Sequence, residues 1–345
     1  MTSITENADV RVPTEARNDH VIAIAVMVVI LVALPWVGIY PYFIMTALCF
    51  ALFACAFNLL IGYTGLLSFG HAAFFGGAGY VTGFALTGLG LPFELSLLLG
   101  VLAAAALGLV MGLLAIRRQG IYFAMITLAL AQMVYFAALR APFTHGEDGL
   151  QGVPRGKLLG LLDLGNDINL YYVVLALAIG GFALIVRTVH SPFGQVLKAI
   201  KENEARAISL GYDVDNYKLV GFVLSAALAG LAGAAKTVVL GFETLTDVHW
   251  TMSGLVILMT LVGGMGTLAG PILGAFLIVA LENKLGDVGN FLAEATHVEW
   301  FASLGESVGI VTGLIFVACV LLFRRGIVGE IAAALARAGR RRGPA

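Results

Sequence analysis

A chain of 345 residues with 60% apolar and 12% charged side chains lies far outside soluble globular composition, in which about a quarter of residues are charged. Its mean hydropathy of +0.96 points to a bilayer, and a net charge of -1 carries no signal for nucleic acid, which is not expected as a partner. The apolar runs lack the alternation of barrel strands, so the spans are expected to be helical.

Residues 1–20 are polar and of mixed charge, and VIAIAVMVVILVALPWVGIY (21–40) follows. That run is longer than a signal-peptide core and no small-residue cleavage site closes it, so an uncleaved anchor is expected. Further runs at 42–61, 66–88, 95–116, 119–140, 170–187, 219–240, 252–265, 271–285 and 306–323 make an all-α polytopic bundle of about ten transmembrane segments. With the N-terminus in the cytoplasm, basic residues concentrate on inside segments. Arg140, Arg155, Lys157 and Lys284 are the outside exceptions, in keeping with the positive-inside rule. The resulting plan is a cytoplasmic tail (1–20), a membrane region (21–325) with an outside loop at 141–169 and an inside loop at 188–218, and a basic cytoplasmic tail (326–345).

The stretch GYTGLLSFGHAAFFGGAGYVTGFALTGLG (62–90) is crowded with glycine. Gly79/Gly83, Gly108/Gly112, Gly270/Gly274 and Gly309/Gly313 have G-x-x-x-G spacing, which lets helix backbones approach closely. The other reading of 62–90 is a broken helix lining a cavity, since unwound backbone at membrane depth persists only where protein or water covers it. LVGGMGTLAGP (261–271) breaks a second run, and charge distribution fits either two crossings or a re-entrant pair over 252–285.

Asn58, Ser68, His71 and Lys236 fall at membrane depth. Each is read either as an interhelical hydrogen bonder or as a lining of the translocation path. For Lys236 the first option is a side chain snorkelling to the interface with Glu243 or Asp247 in reach. Cys49, Cys55 and Cys319 sit in apolar runs without ligand spacing and read as packed small residues. GLAGAAKT (230–237) is not a phosphate loop, because Ala235 stands where its second glycine belongs and the stretch lies inside an apolar helix. No catalytic constellation, metal site or cofactor site is expected. The outside loop, rich in Gly, Asp and Pro, reads as a docking surface or a spacer.

SPFGQVLKAIKENEARAISLGY (191–212) is a charged island between apolar runs. Ser191 is a good N-cap, Pro192 suits the first helical position, and Gly211 suits a C-terminal stop with positive φ. Phe193, Val196, Leu197, Ile200, Ala207 and Ile208 share a face, so a single amphipathic helix over 192–210 is expected. It would lie on lipid or dock in a groove of a cytoplasmic partner.

Residues 194–234 (GQVLKAIKENEARAISLGYDVDNYKLVGFVLSAALAGLAGA), with GYTGLLSFGHAAFFGGAGY (62–80) and LVGGMGTLAGPILGA (261–275), resemble the M-type permease of bacterial ABC importers for branched-chain amino acids. Three blocks in order span most of 40–325. The resemblance implies a multi-pass permease of the inner membrane, without catalytic residues of its own. It implies an H-type partner permease, two cytoplasmic ATP-binding subunits and a periplasmic substrate-binding protein as partners. It also makes the island the coupling segment for an ATPase. Gly194, Ala199, Glu202, Glu204, Ala205 and Gly211 are carried over by match to that segment, with the Leu197/Ile200 face buried in the partner. Branched-chain amino acids are the implied cargo, with urea or short amides as the alternative. An ion-coupled transporter would favour an acidic residue near a span centre, and the expected crossings contain none.

Overall fold

The computed structural model describes residues 40–296, with short pieces at 31–32, 35, 309–311, 313–314, 317 and 326–330. Residues 1–20, most of the runs 21–40 and 306–323, and most of the final tail lie outside the described residues. Contacts divide the chain at residue 41, and the unit beyond it is the one described below.

In order the elements are α1 (Pro41–Tyr63), α2 (His71–Thr87), α3 (Phe93–Ala115), α4 (Ile121–Arg140), β1 (Leu150–Gln151), β2 (Lys157–Leu158), β3 (Leu162–Asp163), α5 (Asp167–His190), α6 (Pro192–Glu202), α7 (Glu204–Ser209), α8 (Val214–Leu240), β4 (Phe242–Glu243), α9 (Leu245–Val248), α10 (Trp250–Gly263) and α11 (Gly270–Thr296). Of these, α1, α3, α4, α5 and α8 are long and apolar enough to cross a membrane. The chain is therefore a helical multi-pass protein, while the run 66–88 is not one continuous helix. The chain is unwound over 64–70, and helix begins only at His71. Gly65, at φ 79°, supplies the left-handed turn that ends α1.

Helix α2 lies at the centre against α8 and α3. A side chain at Gly233 of α8 would strike the backbone carbonyl of Phe75 in α2, so these two helices touch main chain to main chain. Phe53 stacks on Phe75 at 4.3 Å, and Phe74 meets Phe222 edge-on at 5.5 Å; this aromatic layer joins α1, α2 and α8. Helix α1 is buried almost throughout, whereas α3, α4 and α5 are mostly uncovered. Their outward leucines and aromatics, Leu98, Leu102, Tyr122 and Phe136 among them, suit lipid or another subunit.

The chain after α8 descends along α2. A side chain at Gly79 would meet Glu243 and one at Gly76 would meet Val248, while one at Gly83 would meet Leu150 of β1, which pairs with β4. The amide of Ala72 then donates to Ser253 of α10. Helix α10 continues to a turn at 264–269 beside Gly62, and α11 returns from there. Region 252–285 is thus two helices joined by a turn, packed where Gly263 and Gly274 lie on the partner helix's backbone. With 14 residues, α10 is about 21 Å long, less than a bilayer core of roughly 30 Å. The pairs Gly79/Gly83, Gly108/Gly112 and Gly270/Gly274 all take close contacts, whereas nothing among the described residues packs on Gly309 or Gly313.

The loop between α4 and α5 is fastened rather than free. β1 pairs antiparallel with β4, setting Leu150 opposite Glu243, and the Val153 amide donates to the Gly241 carbonyl at 2.8 Å. β2 and β3 form a small hairpin.

Replacing Gly233 with Val loads a branched side chain onto the Phe75 carbonyl. It is expected to cost at least about 1–3 kcal/mol as overpacking, read as a lower thermal midpoint of the purified chain in detergent; Gly254→Val, at a position with open space, is the matched control.

Candidate functional site

Two breaks and one elbow carry all but one of the polar residues that sequence singled out, Lys236 being the exception. At the first break the unwound 64–70 segment leaves backbone groups that no helix satisfies, and hydroxyls from two helices and from the segment itself take them. Thr127 of α4 accepts from the Phe69 amide at 3.1 Å. Ser253 of α10 donates to the Phe69 carbonyl at 2.8 Å and accepts from Ala72 at 2.9 Å. Ser68 accepts from the Gly70 amide at 3.1 Å. The start of α2 is thereby capped by protein, as buried unwound backbone requires.

His71, the first residue of α2, is fully buried. The Ser225 hydroxyl donates to the Ala56 carbonyl at 2.6 Å, so it accepts from His71 Nε2 at 2.9 Å. Nδ1 has no partner, and Phe57, Phe74 and Phe222 present ring edges or faces around the imidazole. His71 and Ser68 are therefore neighbours at one break. Asn58 serves the second: its Oδ1 accepts from the Gly266 amide at 2.9 Å and its Nδ2 donates to the Thr267 carbonyl at 2.8 Å. It staples the α10–α11 turn to the end of α1. Lys236 is remote from these, near the far end of α8. Its ammonium lies 2.5 Å from Asp247 and 3.8 Å from Glu243, and all three residues are buried. It does not snorkel into solvent; the β4–α9 segment brings both carboxyl groups to it.

The charged island is an elbow, not one helix. Asn203 ends α6 in extended backbone, and its side chain accepts from Arg206 to start α7. Ser191 caps α6 as expected, accepting from Gly194 at 3.2 Å, and Gly211 holds φ 87°. The apolar face, however, turns inward. Leu197 is 0% and Ile200 3% exposed. Ile200 packs with Ala207, Val214, Val196 and Tyr217 of this same chain, and Leu197 lies against Gly221 of α8. The expectation that Leu197 and Ile200 bury in another subunit is corrected accordingly. Glu204 pairs with the buried Lys218 at 2.7 Å, an internal tie. Gly194 is buried where a side chain would strike the carbonyls of Thr188 and Val189. Ala199, Glu202, Ala205 and Gly211 face solvent, beside Ile208 at 59%, Leu210 at 70% and Tyr212 at 41% exposure.

Sequence reading passed over what joins the elbow to the bundle. Lys201 donates to the Gly62 carbonyl at 2.6 Å, at the carbonyl end of α1 where a cation is favoured. Lys198 lies over the Tyr63 ring at 5.6 Å. Lysines at i and i+3 of an amphipathic helix were the available signal. Among the described residues no cluster of His, Cys, Asp and Glu is placed to hold a metal.

A central broken helix, paired helical traverses and a charged elbow at one end describe a helical membrane permease. The family model for the branched-chain amino acid transport system / permease component matches residues 39–324, and the chain belongs to that family. It is 29% identical to the high-affinity branched-chain amino acid transport system permease protein LivM of Escherichia coli K12 over 257 residues, 68% of this chain and 60% of that protein. The probable branched-chain amino acid transport permease protein LivH of Methanocaldococcus jannaschii is 30% identical over 158 residues, 46% of each chain. The ribose import permease protein RbsC of E. coli K12 is 26% identical over 208 residues, 57% of this chain and 63% of that protein. The match thus spans about 60% of the length of LivM. No solved structure matches.

Replacing Ser253 with Ala leaves the Ala72 amide and the Phe69 carbonyl without their hydroxyl partner in a buried site. A loss of about 1–3 kcal/mol per unpaired group is expected as a drop in thermal midpoint, with Ser253→Thr recovering most of it.

Proposed function

We propose that this chain is one permease half of an ATP-driven importer in the bacterial inner membrane. Its cargo is branched-chain amino acids or closely related small amides. It works beside an H-type partner permease, two cytoplasmic ATP-binding subunits and a periplasmic binding protein. Family membership over 39–324 supports the permease role, and the names of the LivM and LivH relatives support the cargo.

The observation that carries the coupling role is the elbow. Its inner face is fixed to the bundle by Leu197, Ile200 and the Glu204–Lys218 pair, while Ile208, Leu210 and Tyr212 stand exposed between charged neighbours. Exposed apolar residues at the tip of a rigid polar element are what a partner groove takes. The docking face is therefore 205–212, with Ala205 and Gly211 on it. Glu202 and Ala199 lie at its edge, and Gly194 sets the angle at which the elbow leaves α5.

Two measurements test this. Leu210→Glu is expected to weaken retention of the ATP-binding subunits by about tenfold or more, since an anchor in a desolvated pocket contributes about 2 kcal/mol or above, with the chain still inserted. Normal retention and uptake in that variant would place the partner elsewhere. In proteoliposomes with the cognate binding protein, leucine, isoleucine and valine uptake should require ATP and ignore ion gradients. Uptake of urea or short amides alone would move the cargo to the amide class, and gradient-driven uptake without ATP would refute the importer.

A further inference from the structure

Lys236, Glu243 and Asp247 are not explained by coupling or by the helix breaks. They form a buried cluster of one cation and two carboxyl groups, 4%, 0% and 4% exposed respectively. Asp247 is well held: its Oδ2 takes Lys236 at 2.5 Å, the Thr244 hydroxyl at 2.9 Å and the Thr244 amide at 3.4 Å. Glu243 is not. Lys236 stands 3.8 Å from its Oε2, beyond hydrogen-bond length, and its Oε1 has no partner. The titratable groups facing it are Lys236 of α8, Asp247 of α9 and Tyr80 of α2, whose buried hydroxyl is also unpartnered. Tyr135 of α4 stands near Tyr80, and Cys49 of α1 near Lys236.

Hydrogen counting decides which carboxyl group holds a proton. Thr237 Oγ1 lies 2.6 Å from Glu243 Oε2 and 3.0 Å from the Gly233 carbonyl oxygen. A carbonyl only accepts, and one hydroxyl proton cannot serve two acceptors well. Both contacts are satisfied if Glu243 Oε2 donates to Thr237 and Thr237 donates to Gly233. An ionised Asp247 then balances Lys236, and no net charge is buried. We propose that Glu243 is a proton-binding site, a neutral acid that fastens β4, and through it β1 of the outer loop, to the end of α8. Burial pushes this carboxyl group well above the usual carboxylate range, opposed by Lys236 and reinforced by Asp247. This proposal does not depend on the importer reading.

The sign follows from linkage. The folded chain keeps a proton that the unfolded chain releases near pH 4.3, so the stabilisation is complete below that pH. It declines as pH rises towards the folded-state value. The test uses the full-length chain in lipid nanodiscs, wild type against Glu243→Gln, which keeps the shape and donor of the neutral acid. At neutral pH the wild type should show a protonated-carboxyl C=O infrared band that the variant lacks, and the variant should show a smaller alkaline fall in thermal midpoint. An identical infrared spectrum, an identical pH dependence of stability, or a Gln variant that fails to fold would each overturn the proposal.

Discussion

The organising constraint is that backbone polar groups within an apolar bundle must find partners inside the protein. Helix satisfies this along α1, α3, α4, α5 and α8. Among the described residues it fails before α2 and between α10 and α11, and there the chain supplies side chains instead. Thr127, Ser253 and Ser68 close the first gap. Asn58, with a donor and an acceptor on one amide, closes the second. The glycine contacts follow from the same demand. Hydroxyls reach the main chain of a neighbouring helix only if the helices sit close, and Gly76, Gly79 and Gly233 remove the side chains that would hold them apart.

The Lys236 end of α8 and the elbow at its other end are built on opposite electrostatic plans. At the elbow, Lys218 is buried but reaches Glu204, which is partly open to solvent, and Lys201 ends on a main-chain carbonyl. Charge there is tied off one to one, and the remaining polar surface stays wet. At the far end of α8, Lys236 faces two carboxyl groups in a closed site, so charge is not matched by count alone. The first plan gives a firm platform, while the second makes local stability answer to proton activity.

Much of the fold was legible because hydrophobic length and glycine spacing report directly on a bilayer and on close packing. The spans near 42–61, 95–116, 119–140, 170–187 and 219–240 stand as helices within a few residues. Periodicity could not tell where within 66–88 the helix starts, since Leu66, Leu67 and Phe69 are as apolar as the helix they precede. The capping of the island by Ser191 and the positive φ of Gly211 were legible from local chemistry. The target of its apolar face was not: spacing says that Leu197 and Ile200 are buried, but not against what. Asn203 was the missing signal, a residue that favours ending one helix and capping the next, and the turn it makes folds α7 back over Ile200. For Lys236 the two carboxylates were within view, but the descent that brings them to the lysine depends on Gly76 and Gly79, more than 150 positions earlier in the chain.

The Ala72–Ser253 bond spans 181 residues, and that separation has a meaning in time. Chains emerge at roughly 5–20 residues per second, so the head of α2 exists for on the order of ten to forty seconds before the serine that caps it has been made. During that interval the nascent first half must either leave an amide and a carbonyl unpaired or hold them where water or another molecule's oxygen can reach. Maturation of the bundle is therefore gated by the arrival of α10, and a chain released before that point lacks the piece that lets its centre settle.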